Sequence, residues 1–396
     1  MAKKKSNSTK KLIKEGAELA KKSPMGFLIV LILIIILIAL GVGGFFVYKN
    51  VIEPRMGDAS KEPNSSQTTS KSIYQGNATA IDINFLELGN KYTGDCTFIK
   101  AGDKDILIDA GSRQNSATTI ASFIDQYCSD GKLEYVIATH AHQDHIAGFV
   151  GSNSAEGILK RYKIDTLIDF SLTNADSTIY NNYVSLRDEK VASGDIAHHY
   201  TANDCIQGTN GAKKTYELSE GITMTILDQK FYRESSSDEN NYSVCALFTQ
   251  GNNNYLFTGD LEKEGEKSLT ELNNLPEVEL FKGGHHGSYT ANTDTLLSVI
   301  KPKTVCICCC AGSTEYTTNP DNTFPAQAAV DRIAKYTDKV YVTSVVADDD
   351  KGYKSLNGNI NFHCEKGLEY TVTGSNNSVI LKESEWFKAN RTWPTS

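Results

Sequence analysis

In the stretch Thr139 to Gly148, THAHQDHIAG, three histidines and an aspartate fall within six residues: His140, His142, Asp144 and His145. The chain has only eight histidines in 396 residues, so this density asks for a chemical reason. Imidazole nitrogens and carboxylate oxygens are ligands for zinc, manganese and iron. In extended backbone alternate side chains share a face, so His140 and His142 can address one point. Asp144 and His145 follow at once and can address a neighbouring point. Two metals roughly 3.5–4 Å apart clamp the oxygens of a displacement and supply an acidified water. Such a pair also asks for a bridging carboxylate and a histidine from the far side. Asp260, closing LFTGD, has the first character. His285 and His286, in FKGGHHGS, have the second: one to ligate, the other to stand beside the substrate.

Rigid elements must aim these residues. From Ile81 onward, strand and helix signals alternate. IDINFLEL is a strand, and CTFIKAGDKDILIDAG is a hairpin turning at Gly102 to Asp105. Helix SATTIASFIDQY, strand LEYVIAT, strand TLIDFSL and the hairpin YSVCALFTQGNNNYLFTGD follow. Then come helix EKEGEKSLTEL, strand VELFKG, helix TDTLLSVI, strand TVCICCC, helix PAQAAVDRIAKY, strand KVYVTSV and the hairpin NINFHCEKGLEYTVT. Mixed hairpins and strand–helix alternation predict an α/β fold, an αββα sandwich of two mixed sheets flanked by helices. The candidate ligands sit where LEYVIAT, NNYLFTGD and VELFKGG end, where rigid strands aim loops. VCICCC reads as a buried strand with cysteine as a small hydrophobe, because contiguous strand residues point to alternate faces and cannot share one metal. His198 and His199, in IAHHY, read as a solvated loop or helix end.

Taken together and in this order, THAHQDHIAG, ILIDAG, LFTGD and KGGHHGS are not independent signals. ILIDAG precedes the histidine cluster, and all four together resemble the metallo-β-lactamase fold superfamily. NNYSVCALF before LFTGDLE, the lysine before HHGS and TVCICCCAGSTEYTTNP bring the likeness closer to the hydrolase domain of ComEC-type DNA-uptake proteins. The likeness covers about Ala80 to Val372. It implies the αββα sandwich, a dinuclear zinc-like site and hydrolysis. By position it implies His140 and His142 on the first metal, Asp144 and His145 on the second, Asp260 as the bridge, and His285 or His286 completing the second site. Asp109 in ILIDAG would orient a ligand histidine. The expected cofactors are two divalent ions, zinc first and manganese as the alternative.

The chain departs from that pattern in two places. No histidine stands clearly at a strand end between His145 and Asp260. Asp169 in TLIDFSL occupies such a strand end and is the expected substitute ligand, with His198 or His199 as the alternative. Asn319-Pro320 stands where the group often has His-Pro. Asp144, His286 and Lys282 are expected to act on the substrate, with Lys282 and Ser288 touching phosphate oxygens. The expected substrate is a phosphodiester, by resemblance. A hydrolase of an ester, lactone or lactam would use the same metals, and a catalytically weak metal-binding sensor would keep them.

Charge is unevenly spread. Residues 1–22 carry eight lysines against Glu15 and Glu18, a balance of +6, so the overall −8 leaves −14 on the remainder. That acidity disfavours a long nucleic acid as partner, because the phosphate backbone is held mainly by Lys and Arg. A small or oligomeric phosphodiester fits better. Ser23 to Tyr48 has no charged residue and centres on FLIVLILIIILIAL. About 20 apolar residues cross a bilayer. Preceding lysines keep the N-terminus in the cytoplasm. The expected organisation is a basic tail (1–22), a transmembrane anchor (23–48), a tether (49–76), a hydrolase domain (77–373) outside the cell and a C-terminal tail (374–396). One such helix forms no channel. Protease added to intact cells should release a fragment that starts in the tether. A protected domain with a digested N-terminus would reverse the orientation.

Overall fold

Two eight-stranded sheets form around central runs rich in Ile, Val, Phe and Cys that bury both faces, while the outer strands bury one face or little. The computed structural model describes residues 78–347 and 351–395. The basic tail (1–22), the anchor (23–48) and the tether (49–76) expected from the sequence lie outside them. Among the described residues no helix is long and apolar enough to cross a membrane.

The first sheet runs in the order Tyr370–Gly374, Ile360–Cys364, Ile81–Phe85, Thr97–Ala101, Lys104–Ile108, Lys132–Ile137, Lys163–Asp169, Ile196–Thr201. The second runs Tyr353–Ser355, Val340–Val346, Val305–Ala311, Leu280–Lys282, Asn253–Phe257, Ala246–Gln250, Ile222–Ile226, Thr215–Ser219. Each sheet is antiparallel in its hairpins and parallel across four strands, from Lys104–Ile108 to Ile196–Thr201 and from Asn253–Phe257 to Val340–Val346. The sheets pack face to face through aromatic pairs. Phe85 stacks on Phe257 at 6.2 Å between centroids, and Tyr255 meets Phe362 edge-on at 5.2 Å. Helices Ser116–Ile124, Gln143–Val150 and Thr178–Ser193 bury Ile120, Phe149 and Tyr183 with the first sheet's core. Helices Lys263–Leu272, Asp294–Ile300 and Gln327–Ile333 bury Leu269, Leu297 and Ile333 against Phe281, Val305 and Ile307. The layering is the expected αββα.

VCICCC forms the fully buried strand Val305–Ala311, and all nine cysteines are free and buried. Other expectations change. IAHHY is strand Ile196–Thr201 at the sheet edge, not a loop or helix end. His198 is exposed there and stacks on Tyr200, with ring centroids 6.0 Å apart. Its sequence hides this because an edge strand buries little and shows no apolar alternation. Helix Thr178–Ser193 escapes sequence reading for a related reason: Tyr183 and Leu186 are its buried residues. Residues after Gly374 are not a free tail. Leu381 and Phe387 enter the second core, and the buried Arg391 donates to the carbonyls of Thr323 and Pro325.

Glu266 ties helix Lys263–Leu272 to the turn before the next helix. It is fully buried and accepts from the backbone N–H of Asn292 (2.6 Å) and Thr293 (2.8 Å) and from the Thr293 hydroxyl (2.5 Å). Burial, which outweighs these donors, pushes its carboxyl up to about 7. An acid raised in the folded state adds stability below its unfolded pKa and loses it as pH rises through the folded one. Glu266→Gln cannot titrate. Its stability deficit should therefore be greatest below about pH 4.5 and shrink toward pH 7, by at most roughly 1.4 kcal/mol per unit. Denaturant melts of both proteins across that window check it.

Candidate metal centre

The site forms where parallel strands of both sheets end. Lys104–Ile108 delivers Asp109, Lys132–Ile137 delivers His140, Asn253–Phe257 delivers Asp260 and Leu280–Lys282 delivers the His285-His286 turn. Close backbone approach joins these ends. Asp95 N–H donates to the Asp144 carbonyl (3.0 Å), and Ala110 N–H donates to the His145 carbonyl (2.7 Å). At Gly111 an added Cβ would fall 1.5 Å from the Asp144 carbonyl oxygen, so no other residue fits. At Gly259, with φ +56°, a Cβ would lie 2.9 Å from Thr139 Cβ across the seam between the sheets. Val244 N–H donating to the Thr139 carbonyl (2.9 Å) closes that seam.

His142 precedes helix Gln143–Val150 in extended backbone, and Asp144 lies in the helix's first turn, where an anion is favoured. One atom each from Asp144, His145, Asp260 and His286 lies within 4.8 Å of all the others, and all four residues are buried. His145 Nδ1–H donates to Asp109 Oδ2 at 2.8 Å, which turns Nε2 toward Asp260 Oδ2 at 3.1 Å. Asp109 is itself fixed by Thr139, whose N–H and hydroxyl each donate to it at 2.8 Å. His286 Nδ1–H donates to the Cys308 carbonyl at 2.9 Å, with Asp95 Oδ1 at 3.2 Å. Its Nε2 then faces Asp144 Oδ2 (3.2 Å) and Asp260 Oδ2 (3.1 Å). His140 Nε2 and His142 Nδ1 lie 3.0 Å apart, and the His140 and His145 rings are 4.1 Å apart.

A ring nitrogen whose partner nitrogen already donates carries a lone pair. Two such nitrogens here face carboxylate oxygens, so a proton or a cation must lie between them. Without a metal the balance falls to protons. Burial disfavours charged His145 and His286, but Asp260 outweighs it, helped by Asp109 for His145 and Asp95 for His286, and both sit well above the ordinary imidazole range. Burial would likewise raise Asp260, yet His145 and His286 hold it well below the usual carboxylate range. His140 differs: burial, then repulsion from His145 and His142, push it far down, so it is a neutral ring with a lone pair to share. Asp260 Oδ1 and His286 Nε2 are buried without a hydrogen bond of good geometry. This nitrogen–oxygen donor set fits divalent zinc, manganese or iron.

A family model described as the metallo-beta-lactamase superfamily matches residues 89–163 and 237–311, which carry every one of these residues. The described domain has the metallo-β-lactamase fold. ComE operon protein 3 of Bacillus subtilis (strain 168) is 28% identical over 182 residues, 44% of this chain and 20% of its own length. Recombination protein 2 of Haemophilus influenzae is 26% identical over 265 residues, 66% of this chain and 28% of its own length. The chain thus spans less than a third of either relative. Among solved structures, the metallo-beta-lactamase fold protein YhfI from Bacillus subtilis is 15% identical at a TM-score of 0.32, covering 52% of this chain and 70% of its own. Human tRNase Z, short form, is 11% identical at 0.31, covering 69% and 99%. Likeness that weak says nothing about chemistry.

In this metallo-β-lactamase-fold domain His286 lies in the buried cluster, whereas His285 lines the open cleft. His285 Nδ1 is held by Glu262 Oε1 (3.1 Å) and Thr290 Oγ1 (3.2 Å), and its Nε2 is 3.8 Å from Asp260 Oδ2. Ser288 also lines the cleft. Two expectations are corrected. Asp169 is not with the cluster: Arg187 (2.8 Å), Tyr183 (3.2 Å) and His199 (2.9 Å) all donate to its carboxylate, which fixes strand Lys163–Asp169 to its neighbours. Lys282 does not line the cleft. It is buried, its ammonium pairs with Asp95 and donates to the Gly259 carbonyl at 3.3 Å, and it lies 3.6 Å from Asp260 Oδ1. Burial would depress it, but Asp95 and Asp260 raise it, so it stays charged beneath the cluster.

Sequence reading missed Asp95 beneath the cluster and Glu262, Glu315 and Tyr316, which line the cleft. Asp95 did leave a signal: Thr93-Gly94-Asp95 repeats the tripeptide Thr258-Gly259-Asp260. Elemental analysis of protein reconstituted with zinc or manganese should find about two ions per chain. Asp260→Asn should lose the most. Asp169→Asn should lose none, and lost metal there would restore Asp169 as a ligand.

Proposed function

We propose that this chain is a metal-dependent hydrolase of phosphodiesters, anchored by residues 23–48 with its domain outside the cell. The observation that carries this reading is the buried convergence of Asp144, His145, Asp260 and His286 beneath an open cleft. His286, with Asp144, His145 and Asp260, would hold the second ion, and His140 and His142 the first. A bound pair of divalent ions supplies Lewis-acid polarisation and a water acidified toward neutrality. The protein's own part is orientation and proton handling. Asp109 and the Cys308 carbonyl fix the tautomers that present His145 Nε2 and His286 Nε2. Glu262 does the same for His285, leaving Nε2 beside Asp260 to hold or release a proton for a leaving group. Lys282 and Asp95 offset each other below, so the carboxylates stay ionised.

The cleft, of about 740 Å³, is walled by Tyr289, Tyr316 and Phe324 as well as the polar residues. Among the described residues lining it, Arg113 is the one Lys or Arg side chain, and it already pairs with Glu315. One paired cation cannot track a long phosphate backbone, which agrees with the −14 balance. The reading is therefore a substrate with one or a few phosphodiester groups. Zinc- and manganese-loaded protein should hydrolyse bis-p-nitrophenyl phosphate, and Asp144→Ala should lose at least about 100-fold. Turnover should change little between 50 and 200 mM salt, whereas cleavage of a long polyanion falls steeply. Turnover of nitrocefin alone would overturn the phosphodiester assignment. No turnover of any reporter with two ions bound would leave a sensor.

A further inference from the structure

The segment after strand Val305–Ala311 reaches across the cleft from the second sheet to residues of the first. Glu315 pairs with Arg113 and accepts the Thr93 N–H at 3.0 Å. Arg113 in turn stacks over the Tyr92 ring, 3.9 Å from its centroid. These contacts fix the residue that follows. Tyr316 points its hydroxyl into the cluster and donates to Asp144 Oδ2 at 2.8 Å, the same oxygen that faces His286 Nε2. Its ring packs on Phe324 at 5.6 Å, and Phe324 packs on both His285 (5.7 Å) and His286 (5.6 Å).

We propose that Tyr316 is a catalytic residue whose phenolic O–H donates a hydrogen bond to a substrate oxygen held beside Asp144. The inference rests on the hydrolase reading above. A carboxylate oxygen has about two lone pairs to offer. Asp144 Oδ2 already faces a phenol and an imidazole, so an ion taken up by this carboxylate competes with the phenol. The phenol sits on the open side, since both Tyr316 and Asp144 line the cleft. Released from Asp144, it meets whatever occupies the cleft, and the nearest acceptor is an oxygen of the bound phosphodiester. Over half of the Tyr316 surface remains exposed, so substrate can reach it. A hydrogen-bond donor beside the oxygen where charge develops lowers the barrier to hydrolysis. The Phe324 contact limits how far the ring swings.

The alternative is that Tyr316 merely steadies Asp144, and the two roles separate experimentally. Tyr316→Phe in the full chain keeps the ring and removes the hydroxyl. Metal content and metal affinity should be unchanged, while kcat on bis-p-nitrophenyl phosphate falls roughly 100-fold. Unchanged kcat overturns the proposal. A fall in metal affinity that accounts for the lost kcat also overturns it, because the hydroxyl would then serve the ligand and not the substrate. Calorimetric binding of inorganic phosphate to the metal-loaded protein gives a readout independent of turnover. Phosphate should bind at least about 10-fold more weakly to Tyr316→Phe, worth about 1.4 kcal/mol. Equal binding overturns the contact. Wild-type protein that turns over no substrate, yet binds phosphate more tightly than Tyr316→Phe, sinks the hydrolase reading and upholds the contact.

Discussion

The structure depends on keeping four carboxylates, Asp95, Asp109, Asp144 and Asp260, buried within one small volume. Placing so many like charges in a weakly polar interior is costly unless each finds an opposite charge or a donor. Each does. Lys282 sits under Asp95 and close to Asp260. Thr139 and His145 saturate Asp109. Asp144 and Asp260 share His286, and Asp260 also faces His145. A divalent cation at the same point would replace two protons on the imidazoles and leave the hydrogen bonds behind them in place. The same packing therefore supports a metal-free fold and a ligand set held in advance of the ion.

Both sheets contribute to the cluster. The first sheet supplies the HxHxDH turn and Asp109, and the second supplies Asp260 and the His285-His286 turn. Gly111 lets its loop touch the Asp144 carbonyl within the first half, and Gly259 lets the two halves touch at Thr139. His285 and His286 adopt φ of 47° and 54°, and Asp109 φ of 59°. Backbone in this region is disfavoured for residues with a Cβ. Hydrogen-bond partners hold each of these side chains in place.

Much of this was legible in the sequence. H-x-H-x-D-H has few structural uses, and its neighbours in order, ILIDAG, LFTGD and HHGS, supply the other residues that gather with it. The central parallel strands were legible because they bury both faces and are continuous apolar runs, and three of the hairpins because turn residues separate their strands; the hairpin Thr215–Ser219 to Ile222–Ile226 was not read. The helix Thr178–Ser193 and the edge strand carrying His198 and His199 were not, since elements that bury few residues carry little pattern. Asp169 illustrates the limit of position along the chain. It stands at a strand end like the ligands do, yet Arg187, eighteen residues on, claims it. Lys282 shows the same limit, because a lysine before HHGS reads equally well as a substrate contact or as a buried counter-charge.

The sequence by itself determined that His140, His142, Asp144, His145, Asp260 and a histidine of the His285-His286 pair gather at one candidate centre, and most of the strands that carry them, because ligand type and strand period are local properties. Tertiary structure decided the rest. It separated His286, whose Nδ1 meets the Cys308 carbonyl, from His285, whose Nδ1 meets Glu262, although the two are adjacent and identical in type. It brought Asp95 under the cluster and Tyr316 over it, across 49 and 172 residues from Asp144. Such assignments depend on distances through space between groups far apart in the chain, and pairing energy depends on those distances and on burial.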